Sequence, residues 1–156
     1  MSIEIGQKAP SFKLFDTEKK EHTLEEYKGH NVVLLFFPFA FTGVCTKEMC
    51  QMRDEQSIYN ELDAVVLGVS TDSLYTLGKW KAEHNLNFNL LSDYNKEVSA
   101  AYNALYSSWH WGYLGVSMRA SFVIDKEGII RHIEILENAS DYPNIDAIKA
   151  ALDKLK

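Results

Sequence analysis

The order of the sequence patterns predicts an α/β sandwich in which helices cover both faces of a mixed sheet. Two segments of strand length, 32–37 and 64–70, are continuously apolar. A strand has this composition when both of its faces are covered, as in the centre of such a sheet. Two further strands, 120–125 and 129–135, flank a short glycine-containing turn that predicts an antiparallel hairpin. We expect one domain, spanning 1–156.

The other elements follow from periodicity and length. Apolar or alternating runs predict strands at 11–15, 32–37, 64–70, 88–91, 120–125 and 129–135. Apolar residues at three- and four-residue steps predict helices at 43–62, 72–85 (with Asp72 as a candidate N-cap), 95–105 and 144–156. The helix at 43–62 follows a central strand, so its first turn should lie at the carboxyl edge of the sheet. Open α/β sheets bind their ligands at that edge.

Charge and composition restrict the classes of function. Lys and Arg number 16 against 22 Asp and Glu, a net charge of -6 that disfavours nucleic-acid binding. The longest apolar run, 32–41, is interrupted by Pro38 and is too short to cross a membrane. The first residues show neither the basic region nor the apolar core of a signal peptide. We therefore expect a cytoplasmic protein.

Both cysteines of the chain lie in the predicted helix 43–62. In a reducing compartment such a pair is expected to be reactive or metal-binding instead of structural. Cys45 falls in the first turn, where unpaired N–H groups and the helix dipole stabilise a thiolate, the reactive form of cysteine. Zinc is disfavoured because the five histidines and the two cysteines offer no second ligand pair. We expect neither a metal nor a cofactor.

The spacing of the two cysteines does not fit a disulfide within a regular helix. Five residues along an α-helix give a rise of ~7.5 Å and a rotation of ~140°, so the two Cα atoms would be roughly 8.6 Å apart. A disulfide needs Cα atoms within about 4.4–6.8 Å. If Cys45 and Cys50 form a redox couple, the first turns of the helix must unwind.

The segment 38–45, P-F-A-F-T-G-V-C, resembles the peroxiredoxin active-site loop, Pro-x-x-x-Thr-x-x-Cys. Segments 6–14, 24–38, 91–102 and 119–131 also resemble segments of that family, so the resemblance covers essentially the whole chain. It implies a thioredoxin-like three-layer sandwich. It also implies reduction of hydrogen peroxide and organic hydroperoxides by a cysteine, without metal, flavin or haem, and recycling by thioredoxin or a similar dithiol protein.

The resemblance gives roles to individual residues of the loop and beyond it. Cys45 is the peroxidatic nucleophile, which peroxide converts to a sulfenic acid. The Thr42 hydroxyl and the Arg119 guanidinium are donors to the charge that develops in the reaction. Arginine suits this task because its planar fork can serve sulfur and oxygen together. Pro38 forms a wall of the pocket, and Glu48 orients Arg119.

Cys50 has the offset of the resolving cysteine in the Q type of peroxiredoxin, also called bacterioferritin comigratory protein. The loop sequence and the following Arg53-Asp54 instead resemble the alkyl hydroperoxide reductase E type, in which a cysteine at this offset is often lacking. Two resolving groups are therefore open, Cys50 and an external thiol. We favour Cys50.

An aromatic segment, 107–118, precedes Arg119 and contains two tryptophans and a tyrosine. Because aromatic residues are favoured at interfaces, we expect this segment at the rim of the peroxide pocket or at the face of a homodimer. The alternative is core plus an ordinary loop. We expect no role for His110, which lies between the tryptophans.

Two functions of other classes stay open. A peroxide sensor would use the same Cys45 chemistry and pass its oxidation to a partner protein. A structural binding module with a thioredoxin fold would need no reactive thiolate. Turnover with a thioredoxin system distinguishes the peroxidase from both.

Overall fold

A computed structural model describes residues 2–156, which form nine strands, five α-helices and two short 3₁₀ helices. The strands are β1 (Lys13–Asp16), β2 (Glu21–Thr23), β3 (Asn31–Phe36), β4 (Ala64–Ser70), β5 (Asn89–Ser92), β6 (Leu105–Tyr106), β7 (Val116–Ser117), β8 (Arg119–Ile124) and β9 (Ile130–Leu136). The α-helices are α1 (Gly43–Asp54), α2 (Gln56–Glu61), α3 (Leu74–His84), α4 (Glu97–Ala101) and α5 (Ile145–Asp153), and the 3₁₀ helices are Leu24–Tyr27 and His110–Gly112.

Seven of these strands form one mixed sheet in the order β2-β1-β5-β4-β3-β8-β9. The central strands β3, β4 and β5 are parallel, and the other neighbours pair antiparallel. The mixed sheet and the hairpin of β8 and β9 are therefore confirmed. Strands β6 and β7 form a separate two-stranded ribbon.

Two hydrophobic cores lie on opposite faces of the sheet, and β3 contributes to both. Val33 and Leu35 belong to the core that also holds buried residues of α1, α2, α3 and α5. Val32 and Leu34 belong to the core under α4 and the N-terminal strands. All six residues of β3 are buried, as its apolar composition predicts. Helices on both faces of the sheet give the predicted three-layer sandwich.

The predicted helix 43–62 is two helices in the structure, because α1 ends at Asp54 and α2 begins at Gln56. Neither glycine nor proline marks the break. Glu55 leaves the helical conformation (φ -103°, ψ 14°), and its carboxylate pairs with Lys149 of α5 at 3.0 Å. The break thus coincides with an ion pair between residues that the periodicity of the sequence does not relate.

Two other helix boundaries differ from the sequence expectation. The N-cap of α3 is Ser73, whose hydroxyl accepts the N–H of Thr76, and not Asp72. The predicted helix 95–105 contracts to the five residues of α4, because Lys96 and Asn103 on either side of it have positive φ angles. The helix ends at Ala101, and Asn103 follows it in the left-handed conformation, which asparagine tolerates better than most residues.

The sequence predicts only the first strand of the hairpin formed by β1 and β2. The strand expected at 11–15 lies at Lys13–Asp16, and its three-residue partner β2 is too short for a recognisable alternation. The Asp16 carboxylate closes the turn by accepting the N–H groups of Glu18 and Lys20. None of the helices in residues 2–156 has both the length and the apolar character that a membrane span requires.

Candidate active site

The site lies where β3 ends and β8 begins. These strands are antiparallel neighbours, and Phe36 of β3 is opposite Ala120 of β8. Arg119, the first residue of β8, therefore lies beside the loop 37–42, which connects β3 to α1. This placement puts the loop, the first turn of α1 and the arginine at the carboxyl edge of the parallel strands, as expected for an α/β sheet.

The loop 37–42 is fixed at several points. Pro38, two residues after the end of β3, is buried. The Ala40 N–H donates to the carboxylate of Asp72 at 2.8 Å, and Phe41 has a φ angle of 67°. Left-handed backbone at a phenylalanine is uncommon and requires surrounding contacts to hold it. These contacts fix the backbone of the loop between β3 and α1.

Cys45 is the third residue of α1 and is completely buried. The first intrahelical hydrogen bond of α1 runs from the Thr46 N–H to the Thr42 carbonyl at 3.0 Å. The earlier N–H groups, including that of Cys45, belong to the set that a helix leaves without an intrahelical acceptor. Their dipoles favour negative charge on the sulfur. The structure therefore places Cys45 in the first turn, as the sequence predicts.

Arg119 joins Cys45 to Glu48 within this buried site. Its Nη2 donates to the Cys45 Sγ at 3.3 Å, and its Nη1 donates to Glu48 Oε1 at 2.7 Å. The Ala139 carbonyl accepts from Nε and Nη2 at 3.2 and 3.0 Å, which fixes the plane of the guanidinium. The structure therefore brings together Cys45, Arg119 and Glu48, three of the residues named as candidates from the sequence.

Two acids, Cys45 and Glu48, share one cation, the guanidinium of Arg119. Burial raises the pKa of Glu48 to about 7, although Arg119 acts in the opposite direction. Burial alone would lower the pKa of Arg119, but the nearby charges of Cys45 and Glu48 outweigh it and raise that pKa. The guanidinium therefore stays charged beside the sulfur, as electrostatic stabilisation of a thiolate requires.

Thr42 adopts a geometry that differs from the sequence expectation. Its exposed side chain donates its hydroxyl hydrogen to the Phe39 carbonyl at 2.8 Å and caps no N–H group of α1. In this conformation the hydroxyl oxygen can accept a hydrogen bond from a peroxide O–H. It can donate to the peroxide only after a rotation about χ1, because the loop carbonyl takes its hydrogen.

Cys50 lies on α1, whose helical conformation is continuous from Gly43 to Asp54. Its side chain is partly exposed, and both cysteines are free thiols. A regular helix separates the two Cα atoms by roughly 8.6 Å, beyond the reach of a disulfide. The structure therefore describes a state in which the helix keeps Cys45 and Cys50 too far apart to form a disulfide.

Two residues that the sequence did not assign to the site support it from α3 and the segment before it. Trp80 is fully buried, donates its indole N–H to the Thr46 hydroxyl at 3.2 Å and packs against Phe37 with ring centroids 5.2 Å apart. Asp72 holds the loop through Ala40. Since these contacts cross more than thirty positions of the chain, no local pattern could have revealed them.

The aromatic segment 107–118 packs against the same loop. Trp109 and Tyr113 have ring centroids 5.6 and 5.8 Å from that of Phe39. Trp111 is 80% exposed, and Leu114 is 68% exposed. The segment therefore borders the loop on one side and presents apolar side chains to solvent on the other. In the described part of the chain, no three His, Cys, Asp or Glu side chains are arranged to hold a metal ion.

Comparison with known proteins agrees with this geometry. Residues 5–133 match the AhpC/TSA family. The chain is 43% identical over 130 residues to peroxiredoxin Bcp of Bacillus subtilis, covering 82% of each protein. It is 36% identical over 136 residues to alkyl hydroperoxide reductase E of Mycobacterium tuberculosis, covering 85% of this chain and 86% of that protein. The crystal structure of peroxidoxin BcpB from Mycobacterium tuberculosis superposes with a TM-score of 0.88 at 28% identity, covering 99% of both chains.

A buried cysteine at a helix start, an arginine beside it and these matches together define a peroxiredoxin. The chain belongs to the AhpC/TSA family, and its fold is the thioredoxin-like fold of that family. It is a thiol-dependent peroxidase. Its relatives include both the Bcp, or Q, type and the alkyl hydroperoxide reductase E type, the same two types that the sequence motifs resemble.

Proposed function

We propose that Cys45 reduces peroxides and that Cys50 then resolves the oxidised sulfur. The observation that carries the proposal is the 3.3 Å contact between the Arg119 guanidinium and the buried Cys45 sulfur. The thiolate attacks the terminal oxygen of the hydroperoxide, an S–O bond forms, and the O–O bond breaks. The electron pair of that bond leaves on the second oxygen as an alkoxide or hydroxide. Arg119 and the N–H of Cys45 are positioned to stabilise this charge.

Resolution by Cys50 requires a change in α1. The Cys50 thiol would attack the sulfenic acid, form a disulfide and release water. An intact α1 prevents this attack, so the residues between Gly43 and Cys50 must leave the helical conformation. The partial exposure of Cys50 supports the proposal, because a side chain near the surface can move without opening the core.

A small dithiol protein of the thioredoxin class is the proposed reductant, and the cytoplasm the proposed compartment. Two free thiols within one helix fit a reducing compartment, where disulfides are transient. An unwound α1 would expose the disulfide to an incoming dithiol, which removes it by exchange.

Turnover tests the proposed function. Purified protein with thioredoxin, thioredoxin reductase and NADPH should consume peroxide catalytically, and Cys45→Ser should abolish this consumption. Cys50→Ser should still become oxidised but should no longer turn over with thioredoxin. A single stoichiometric oxidation of the wild type without turnover would instead support a sensor. Undiminished turnover of Cys50→Ser would assign resolution to an external thiol.

Organic hydroperoxides are proposed substrates beside hydrogen peroxide. Phe39 and Phe41 lie in the loop before Cys45, and Trp109 packs against Phe39. An apolar rim favours an alkyl group by removing its surface from water. The ratio of kcat/KM for an alkyl hydroperoxide to that for hydrogen peroxide should fall in Phe39→Ser. An unchanged ratio would contradict this part of the proposal.

A homodimer through the aromatic segment is also proposed. Phe41, Trp111, Tyr113 and Leu114 are each about half exposed or more, and such large apolar side chains on a surface are typical of interfaces. Trp111→Glu should then shift the sedimentation coefficient from that of a dimer to that of a monomer. Tyr75→Glu is the matched control, because Tyr75 is 71% exposed on α3. A wild type that sediments as a monomer at micromolar concentration would contradict the dimer.

A further inference from the structure

Cys45, Arg119 and Glu48 form a buried group in which one cation serves two acids. The exposed fractions of the three residues are 0%, 2% and 0%. With the thiolate and the carboxylate both ionised, the group would carry one uncompensated negative charge. Burying an unpaired charge is costly, and a buried acid usually avoids this cost by taking up a proton.

Of the two acids, Glu48 is the one whose hydrogen bonding is incomplete. Its Oε1 accepts from Arg119, but its buried Oε2 has no hydrogen-bond partner among the described residues. A carboxylate with an orphaned oxygen in the core is poorly solvated. Burial correspondingly raises the pKa of Glu48 to about 7, against the effect of Arg119 and with a further increase from Glu134. A proton on the Glu48 carboxyl removes the uncompensated charge.

Cys45 is the other acid of the group and reacts as a thiolate, so the remaining titratable groups near Glu48 are the ones to compare as proton sites. They are Tyr59 on α2, Arg119 on β8, Glu134 on β9 with its neighbour His132, and Tyr142 in the segment before α5. Burial raises the pKa of Tyr59 and that of Tyr142, the latter to about 12, so both stay neutral. Burial lowers the pKa of His132, so it is also neutral near pH 7. Glu134 adds negative charge and favours protonation of Glu48.

Peroxide reduction changes the charge balance of this group. The thiolate becomes a neutral sulfenic acid, so the negative charge at the sulfur beside Arg119 disappears. We propose that Glu48 is protonated while Cys45 is a thiolate and ionises when Cys45 is oxidised, so that one negative charge remains beside Arg119 throughout. The inference rests on the proposed role of Cys45. Glu48 acts through Arg119 and is a positioning residue.

The reaction balances with this proton included. A thiolate, a hydroperoxide and a carboxylic acid give a sulfenic acid, an alcohol and a carboxylate. The sulfur supplies the electron pair of the new S–O bond, and the hydrogen of the attacked oxygen stays with it. The alkoxide receives a proton, and Glu48 gives up one. Without Glu48 that proton is taken from solution, so the two cases differ in the net uptake of protons.

Proton uptake during oxidation tests the proposal. One equivalent of hydrogen peroxide is mixed with reduced Cys50→Ser protein in weakly buffered solution containing a pH indicator. The Cys50→Ser background stops the reaction at the sulfenic acid. The thiolate fraction is measured from its ultraviolet absorbance, and Cys45 oxidation from intact mass. Proton uptake is expressed per thiolate oxidised.

The expected uptake is well below one proton at a pH under the Glu48 pKa and approaches one proton above it. Glu48→Gln in the same background should take up one full proton at both pH values. Uptake of one full proton at both pH values by the Cys50→Ser protein with Glu48 intact would overturn this inference and leave the peroxidatic role of Cys45 standing. Failure of Cys45 to oxidise would overturn its peroxidatic role and this inference with it.

Infrared difference spectra provide a second measurement that needs no substitution of Glu48. The oxidised-minus-reduced spectrum of Cys50→Ser should show a negative band at the carbonyl stretch of a protonated carboxyl group and positive bands at the stretches of a carboxylate. An unchanged carbonyl region would contradict the inference even if Glu48→Gln does not fold. A purely structural role for Glu48 would move neither this spectrum nor the proton uptake.

Discussion

Arg119 is the residue through which the site is assembled, because its two terminal nitrogens serve different acids. Nη1 binds Glu48 and Nη2 binds the Cys45 sulfur, while the Ala139 carbonyl holds the guanidinium plane. A lysine has a single ammonium group on a flexible stem and cannot contact both acids in a fixed geometry. The arrangement explains why an arginine stands at this position.

Replacing Arg119 by lysine should therefore lower the second-order rate constant for peroxide by about 100- to 1,000-fold, the usual cost of losing one preorganised donor. Stopped-flow fluorescence of the reduced protein measures this constant. Arg131→Lys is the matched control, since Arg131 pairs with Asp125 near the turn of the β8–β9 hairpin. A loss smaller than about tenfold in Arg119→Lys would contradict the assigned role.

Asp72 acts on the same chemistry from a distance, because it fixes the loop before Cys45. Its Oδ2 accepts from the Ala40 N–H and from the Ser70 hydroxyl, each at 2.8 Å. Asp72→Ala should lower kcat/KM by about 10- to 100-fold, as misplacing reacting groups by a fraction of an ångström does. Asp72→Asn, which keeps an acceptor oxygen, should lose less. Equal activities of wild type and Asp72→Ala would exclude this role.

At the scale of the element, α1 must be stable enough to present Cys45 and yet open for resolution. Its first turns are held by the Trp80 indole on Thr46, by the burial of Met49 and by the Tyr142 hydroxyl on Gln51. Oxidation of Cys45 removes the negative charge at the sulfur, so the contact of Arg119 with the first turn of α1 weakens while its contact with Glu48 remains. The helix is therefore expected to open more readily after reaction with peroxide than before.

Hydrogen exchange can detect this opening. Backbone amides of 43–50 should lose protection when the Cys45–Cys50 disulfide forms, because a regular helix cannot contain that disulfide. Amides of α3 should keep their protection and serve as an internal control. Retained protection of 43–50 in a protein whose disulfide is verified by mass would contradict the proposed unwinding.

The comparison of sequence and structure is also most informative at the element scale. The apolar strands β3 and β4 and the hairpin of β8 and β9 follow from local composition, and the start of α1 follows from its position after β3. The break at Glu55 coincides with an ion pair to the distant Lys149, and α4 is short because the backbone at Lys96 and Asn103 is left-handed, so periodicity reveals neither. The same holds for Asp72, whose carboxylate looks like a helix cap in sequence but binds a loop 32 positions away.

At the scale of the whole molecule, the strand order assembles a site from distant parts of the chain. Cys45 and Arg119 are 74 positions apart, and they meet because β3 and β8 are neighbours in the sheet. Their meeting could be expected from a family resemblance but not from any spacing within the sequence. The contact of the Ala139 carbonyl with Arg119 could not be predicted from the sequence, because a backbone carbonyl is present at every residue.

The buried carboxyl of Glu48 should also affect the stability of the molecule. Its pKa rises from 4.5 to about 7 in the folded protein, so the folded state binds this proton more tightly than the unfolded state. The stabilisation is complete below the lower value and is lost as pH rises through the higher one. Denaturation with urea at several pH values should therefore show Glu48→Gln gaining stability relative to wild type between these values. A pH-independent difference between the two proteins would contradict the shift.

The most direct test of the central claim is the intact mass of the reduced protein after one equivalent of hydrogen peroxide. We expect the wild type to lose two hydrogen atoms as the Cys45–Cys50 disulfide forms. Cys50→Ser should gain one oxygen atom, and Cys45→Ser should remain unchanged on the same timescale. Oxidation of Cys45→Ser as fast as that of the wild type would contradict the account, because the reacting sulfur would then not be the one beside Arg119.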